Sequence, residues 1–96
     1  MELSFNPLAE RELNDAAQYY EVESPGLGAA FLDEVERSCQ HIVEYPESAP
    51  VVLVPVRRRI LRRFPYALLY RVGLDAIRIL AVMNLKRRPT YWVGRT

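Results

Sequence analysis

The stretch VRRRILRRFPYALLY, which spans Val56–Tyr70, decides how the whole chain is interpreted. Its first half carries five arginines among residues that favour β-strands: Arg57, Arg58, Arg59, Arg62 and Arg63. Side chains alternate between the two faces of a strand, so the arginines at 58 and 62 are predicted to share a face with Ile60, and the other three a face with Leu61. One face must therefore present guanidinium groups to solvent or to an anionic partner.

Two further strands are predicted after the Phe64-Pro65 break. In the first of them, residues 65–72, one face would carry Tyr66, Leu68, Tyr70 and Val72, and the other face Ala67, Leu69 and Arg71. In the second, residues 76–83, every side chain except Arg78 is apolar. That pattern is typical of a central strand that is covered on at least one side.

The N-terminal half has the signals of one strand and two helices. Residues 2–6 predict a short strand, and Asn6-Pro7 combines an N-cap side chain with a proline at the first helical position. Ser24–Gly26 has the composition of a turn, which ends the first helix, and a second helix follows and ends before Pro46. Because only a few residues join the two helices, they are predicted to form an antiparallel hairpin.

Residues 46–55, PESAPVVLVP, connect the second helix to the arginine-rich strand. Their apolar centre between prolines suits either a loop packed on the core or a brief edge strand. The predicted order is β-α-α-β-β-β, an α+β fold in which a mostly antiparallel sheet carries an α-helical hairpin on one face. No repeat, low-complexity segment or linker interrupts the chain, so residues 1–96 are predicted to form a single domain.

The formal net charge of +1 conceals a strong asymmetry between the two halves. Residues 1–48 carry two arginines and eleven carboxylates, a net charge of −9, whereas residues 49–96 carry eleven basic residues and one aspartate, a net charge of +10. One interpretation is that the halves neutralise each other across the fold. The other, which we favour, is that the basic half meets an acidic partner or a phosphate backbone.

Several classes of function lack the residues they need. One cysteine, Cys39, and one histidine, His41, cannot supply the usual zinc site, and no glycine-rich phosphate loop is present, so neither a metal nor a cofactor is expected. The lone thiol fits a reducing cytosol, and a cytoplasmic location is predicted. The N-terminus lacks the pattern of a secretory signal, and no apolar run approaches the length that spans a bilayer, so no membrane partner is expected.

Arginine combined with tyrosine is the remaining chemical signal. Guanidinium groups bind phosphate through a planar fork, and aromatic rings stack on bases, so the combination suits RNA and, in principle, metal-free phosphoryl-transfer chemistry. The alternative is that the aromatic side chains are structural. We predict that Tyr66, Tyr70 and Trp92 are core residues. For Tyr91, on the basic tail, both interpretations stay open.

Motifs along nearly the whole chain resemble the RelE/ParE superfamily of bacterial toxins. They are the Asn-Pro helix start, the tyrosine pair Tyr19-Tyr20, the turn and helix of Ser24–Glu36, the strands of Val56–Val72 and the tail of Ala81–Arg95. The resemblance implies the fold given above and a toxin of a type II toxin–antitoxin pair. It also implies a cognate antitoxin whose flexible segment wraps the toxin, and we expect that partner to cover the helical hairpin and part of the arginine-bearing sheet.

The superfamily has two branches, and the resemblance assigns residues to each. RelE-like members cut messenger RNA on the ribosome without a metal, and the catalytic candidates by position are Arg59, Arg63, Arg87 and Tyr91. ParE-like members poison DNA gyrase and are not enzymes of this kind. The general pattern of the chain favours the ParE-like branch. The candidates for contact with the target or with nucleic acid are Arg57, Arg58, Arg62 and Arg88.

One position departs from the pattern of many relatives. Asn84 stands at the end of the last strand where they have histidine, and an amide cannot transfer a proton near neutral pH. This departure weakens the nuclease interpretation. It keeps open an inactive relative that only binds the antitoxin, and a plain nucleic-acid-binding domain remains a third interpretation, with the steep salt dependence that counterion release requires.

Overall fold

Seven helices and strands follow one another in the computed structural model, which describes all residues from Met1 to Thr96. In chain order they are β1 (Glu2–Phe5), α1 (Pro7–Glu23), α2 (Leu27–Glu44), β2 (Val51–Leu53), β3 (Val56–Ile60), β4 (Tyr66–Val72) and β5 (Ala76–Asn84). The predicted α+β class is confirmed. The order gains one strand, β2, because part of the connection at residues 46–55 forms a brief edge strand.

The five strands form one sheet in the order β1-β5-β4-β3-β2. β1 pairs with β5 in parallel, and all other neighbours are antiparallel, so the sheet is mostly antiparallel as predicted. The apolar strand β5 lies between β1 and β4, which confirms its predicted interior position. The helical hairpin carries the chain from one edge of the sheet towards the other.

Local sequence signals position the hairpin. The Asn6 side chain accepts a hydrogen bond from the backbone N–H of Leu8 at 2.7 Å, and Pro7 is the first residue of α1. At the other end of α1, the Glu21 carboxylate accepts from the backbone N–H groups of Gly26 and Gly28 at 3.0–3.1 Å. This carboxylate satisfies donors at the start of α2 that have no partner within that helix.

The helices pack closely because Gly28 has no side chain. A Cβ atom at this position would lie 2.5 Å from the backbone oxygen of Ala17, far inside ordinary van der Waals contact. Ala9, Ala16 and Ala17 are the buried residues of α1, so the contact between the two helices depends on small side chains.

Each face of the sheet carries its own apolar cluster. The face towards the helices contains Leu68, Tyr70, Ile77, Ile79 and Val82, together with aromatic side chains that include Phe31 and Phe64. The opposite face contains Val56, Ala67, Leu69, Leu80, Ala81 and Met83, covered by Trp92 of the C-terminal turns. The alternation predicted for β4 is confirmed, and so are the core positions of Tyr70 and Trp92, with Tyr66 packed against the first cluster.

A β-bulge in β5 changes which side chains face the helices. Leu69 pairs with Ala81 and Tyr70 with Ile79, so Leu80 is an extra residue, and both Leu80 and Ala81 pack on the face away from the helices. After the bulge the alternation is shifted by one residue. Val82 therefore returns to the helix face, and Asn84 follows on the same side.

The arginine-rich strand is shorter than predicted, and its arginines do not share one face. β3 ends at Ile60, so Arg62 and Arg63 lie in the loop before β4. Their backbone N–H groups donate to the Glu34 carboxylate of α2 instead of to a strand. The register pairs Arg57 with Tyr70 and Arg59 with Leu68, which places these two arginines towards the helices and Arg58 on the opposite face.

Substitution of Gly28 tests the helix contact. Gly28→Ala inserts a Cβ against a backbone oxygen that cannot rotate away, so we expect it to lower the free energy of unfolding by about 1–3 kcal/mol despite the higher helix propensity of alanine. Urea denaturation measures the loss. Ala29→Gly makes the reverse change at an exposed neighbour and should cost less than about 1 kcal/mol. A Gly28→Ala protein as stable as the wild type would contradict the close packing of α1 against α2 at this residue.

Candidate functional site

Two clefts lie where the helices meet the sheet, and between them they contain most of the residues that the sequence singled out. The first, the C-terminal cleft, has a volume of about 430 Å³ and lies between α1 and the end of β5. Its walls include Glu12, Asp15, Tyr19, Tyr66, Val82, Asn84, Lys86, Arg87 and Tyr91. The bulge in β5 matters here, because it gives Asn84 its place in this cleft.

The Glu12 carboxylate is the centre of the C-terminal cleft. It accepts from the backbone N–H of Val82 at 3.1 Å, from the Tyr91 hydroxyl at 2.6 Å and from the Arg95 guanidinium at 2.9 Å. Arg95 also donates to the carbonyl of Leu80 at 3.1 Å. A single carboxylate thus joins α1, the bulged part of β5 and the C-terminal tail, and its pair with Arg95 is the only salt bridge of the protein.

The Tyr91 hydroxyl is held in its protonated form. Burial raises the pKa of Tyr91, and the hydrogen bond to Glu12 raises it further, against a smaller opposing effect of Arg95 and Arg87. The guanidinium carbon of Arg87 lies 4.0 Å from the centroid of the Tyr91 ring, and that of Arg95 lies 4.9 Å from it. The phenol is therefore a hydrogen-bond donor engaged within the protein and enclosed by two cations.

Asn84 shapes the turn that follows β5. Its side-chain oxygen accepts from the backbone N–H of Lys86 at 2.9 Å, and its carbonyl accepts from the backbone N–H of Arg87 at 2.9 Å. Side chains of this type favour turns because they bond to the backbone two residues further on. Arg87 and Arg88 leave this turn with exposed side chains.

The second cleft, the arginine cleft, lies between α2 and the end of β3 with its following loop, and has a volume of about 310 Å³. Its walls are Glu34, Arg37, Ser38, His41, Arg59, Ile60, Leu61, Arg62 and Arg63. Glu34 is only 7% exposed, and both of its oxygens accept from the backbone N–H of Arg63, at 3.2 and 3.3 Å. One of them also accepts from the backbone N–H of Arg62.

The structure separates the predicted catalytic residues into two groups. Arg59 and Arg63 line the arginine cleft, whereas Arg87 and Tyr91 line the C-terminal cleft. The predicted contact residues are dispersed as well: Arg62 is in the arginine cleft, Arg88 is exposed on the tail, and Arg58 lies on the sheet face away from the helices. No single cavity contains all eight of the predicted residues, which are seven arginines and one tyrosine.

The Arg57 side chain is engaged in hydrogen bonds within the protein. Its guanidinium donates to the carbonyls of Ala49 at 2.7 Å and Glu47 at 3.1 Å, and the Tyr70 hydroxyl donates to the carbonyl of Pro46 at 2.8 Å. These bonds fasten the connection before β2 to the sheet. The Nε of Arg58, by contrast, is buried without an acceptor.

Sequence reasoning missed Glu12, Glu34, Arg37 and Arg95. The sequence does contain a signal for the two acids. Each of Glu12 and Glu34 lies three residues after one buried position of its helix and four residues before the next, which is the spacing of a single helix face. A carboxylate on the buried side of a helix requires hydrogen-bond donors, so this spacing indicates an internal contact. What the spacing does not give is the donor, which comes from a distant part of the chain.

The described residues contain no group of three or more histidine, cysteine, aspartate or glutamate side chains arranged to hold a metal ion. Neither helix combines the length and the apolar character that crossing a bilayer requires.

Substitution of Glu12 tests its role as the link between three elements. Glu12→Gln removes the charge that Tyr91 and Arg95 bind, and we expect a loss of about 2–4 kcal/mol in the free energy of unfolding, since hydrogen bonds to charged groups are strong and Arg95 is left unpaired. Glu10→Gln, at an exposed position of the same helix, should cost less than about 1 kcal/mol. Equal losses of stability for Glu12→Gln and Glu10→Gln in urea denaturation would contradict the role of Glu12 as the link between three elements.

The pKa of Tyr91 predicts how stability depends on alkaline pH. Below the ordinary tyrosine value of 10.0 the phenol is neutral in both states and adds no pH dependence. Above it the unfolded chain releases the proton while the folded chain retains it, so the free energy of unfolding falls as pH rises. Tyr91→Phe should make that fall measurably shallower in denaturation at pH values above 10. An unchanged slope would contradict the raised pKa.

Comparisons with known proteins give the family and the fold. A family model described as ParE toxin of type II toxin-antitoxin system, parDE, matches residues 3–89. A solved structure of a chromosomal ParDE toxin–antitoxin system from P. aeruginosa has the same fold, with a TM-score of 0.77 and 20% sequence identity over 88% of this chain and 95% of that chain. The comparison with curated proteins gave no match. Since the family model covers most of its length, this chain belongs to the ParE toxin family of type II toxin–antitoxin systems.

Proposed function

We propose that this toxin of a type II system is directed at DNA gyrase, acts in the cytoplasm and is neutralised there by its cognate antitoxin. The observation that carries the choice of gyrase over messenger RNA is the separation of the nuclease candidates. Arg59 and Arg63 line one cleft and Arg87 and Tyr91 the other, so they do not surround one scissile phosphate. Catalysis by positioned groups requires them to meet at the reacting atoms.

The proton chemistry of the C-terminal cleft supports the same choice. General acid–base catalysis works best with a group whose pKa lies near the operating pH. The pKa of Tyr91 is raised by burial and by Glu12, and the Glu12 oxygens are already occupied by three donors. The side-chain amide of Asn84 cannot act as an acid or a base near neutral pH, and it stabilises the turn instead. We therefore favour a toxin that acts by binding.

The exposed arginines supply the surface for such binding. Arg62, Arg63, Arg87 and Arg88 are exposed, and none of them pairs with a carboxylate of the protein. A group of unpaired cations raises the rate of encounter with an anionic target and helps select it. A topoisomerase engaged on DNA presents such a target. We propose that these four side chains contact it.

The antitoxin is proposed to cover apolar surface at the sheet edge and on the hairpin. Val51, Val52 and Leu53 of the edge strand β2 are each at least 40% exposed, and Val22 on α1 is 80% exposed. The outer edge of β2 presents backbone N–H and C=O groups with which an extended segment of another chain can pair. Because the neighbouring strand β3 carries three arginines, an extended segment of mixed acidic and apolar residues would suit this edge.

Expression in a bacterial host separates the candidate functions. The wild-type chain under a tight promoter should arrest growth and induce DNA damage signalling while messenger RNA stays intact, and co-expression of the adjacent gene should restore growth. In vitro, the purified protein should inhibit supercoiling by gyrase. Tyr91→Phe should retain most of this inhibition, because the phenol is engaged internally.

Three results would contradict the proposal in different ways. Cleaved messenger RNA with normal supercoiling, abolished by Arg87→Gln, would establish the nuclease alternative. Normal growth with abundant folded protein that still binds the antitoxin would indicate an inactive relative. Binding to any DNA with a steep salt dependence, without inhibition of gyrase, would indicate a plain nucleic-acid-binding domain.

A further inference from the structure

The arginine cleft concentrates positive charge that the protein leaves unpaired. Four arginines line it, and they come from three elements: Arg37 from α2, Arg59 from β3, and Arg62 and Arg63 from the loop before β4. The only salt bridge of the protein joins Arg95 to Glu12, so none of these four is paired with a carboxylate. The mutual repulsion of four like charges around a space of about 310 Å³ is reduced when an anion binds among them, which favours anion binding there.

Glu34 is the one acid in the cleft, and it does not neutralise the arginines. Its oxygens accept from the backbone N–H groups of Arg62 and Arg63, and its side chain is buried beneath the loop. The carboxylate thereby fixes the loop and the direction in which both side chains leave it. The cleft is lined by four arginines and one carboxylate, that of Glu34, so its net formal charge is three positive charges.

The position of Arg59 also indicates a missing acceptor. Its Nε is buried and has no hydrogen-bond partner, an arrangement that costs free energy for a charged group. Arg59 lines the cleft together with Ser38, which is only 6% exposed, and His41. Donors thus converge on the cleft from α2, β3 and the loop, whereas the one acidic side chain in its walls is engaged by the backbone.

We propose that the arginine cleft is a binding site for phosphate groups. Guanidinium groups grip phosphate oxygens through two parallel hydrogen bonds, and a cleft with an excess of three positive charges suits a multiply charged phosphate better than a single carboxylate. The phosphate belongs either to a free nucleotide or diphosphate or to the backbone of a nucleic-acid strand. The site shares Arg62 and Arg63 with the surface proposed to contact the cellular target. Phosphate binding by the isolated toxin can nevertheless be measured without gyrase, so its failure and the failure of the proposed function are distinguishable.

Calorimetric titration of the full-length protein tests the proposal. One arm uses pyrophosphate and the other a single-stranded oligonucleotide, both at low ionic strength. Arg59→Gln and Arg62→Gln each remove one guanidinium from the cleft, and each should weaken binding about tenfold or more, as expected for the loss of a charge-assisted hydrogen bond. Arg11→Gln makes the same change of charge on the exposed side of α1 and should weaken binding less than about twofold.

The arms identify the source of the phosphate. Binding of pyrophosphate that exceeds binding of the oligonucleotide assigns the site to free phosphates, and the reverse assigns it to a nucleic-acid strand. No binding in either arm would overturn the proposal, and so would an equal loss in Arg11→Gln and Arg59→Gln, which would reveal only general charge attraction. Circular dichroism of each variant excludes unfolding as the cause of a loss.

Discussion

The hydrogen bonds from backbone N–H groups to the carboxylates of Glu34 and Glu12 hold the two helices against the sheet. Both lie on the inner sides of the helices, and both accept hydrogen bonds from backbone N–H groups of the sheet or of the loop beside it. Only Glu12 also pairs with an arginine. Of the eleven acidic residues of the first half, Glu12 alone forms a salt bridge with a basic residue of the second half, so the basic residues there are almost entirely unpaired.

The two clefts follow from the same arrangement. Glu12 draws α1, the bulged part of β5 and the C-terminal tail together, and Glu34 draws α2 to the loop after β3. Each carboxylate therefore closes one end of the seam between the hairpin and the sheet and leaves a cavity beside itself. The positive charge is divided between these two ends and the outer face of the sheet. A surface of this kind suits binding of an anionic partner better than the assembly of one catalytic centre.

The elements of the fold were predictable because their signals are local. Asn6-Pro7 starts α1, Ser24–Gly26 separates the helices, and the alternation in β4 gives the two faces of the sheet. The bulge at Leu80 was not predictable, since all the residues around it are apolar and suit either face. The end of β3 was placed too late because its cause, Glu34, is 28 residues away from Arg62 in the chain.

The candidate site was less predictable than the fold. The sequence identified the arginines and Tyr91 as notable, and the resemblance suggested roles for them, but neither gave the partners that decide those roles. The contact between Tyr91 and Glu12 spans 79 residues, and no local pattern encodes it. Likewise, the prediction continued the strand alternation to Arg62 and Arg63, whereas β3 ends at Ile60 and these two arginines lie in the loop beside α2.

Hydrogen exchange of Arg62 and Arg63, followed by nuclear magnetic resonance without added anions, shows whether Glu34 binds the backbone of the loop or the guanidinium groups. The account predicts slow exchange of their backbone N–H groups, although they lie in a loop, because Glu34 binds them. It predicts fast exchange of their guanidinium N–H groups, because no carboxylate holds them. Fast backbone exchange combined with slow guanidinium exchange would show that the carboxylates neutralise the arginines and would contradict the account.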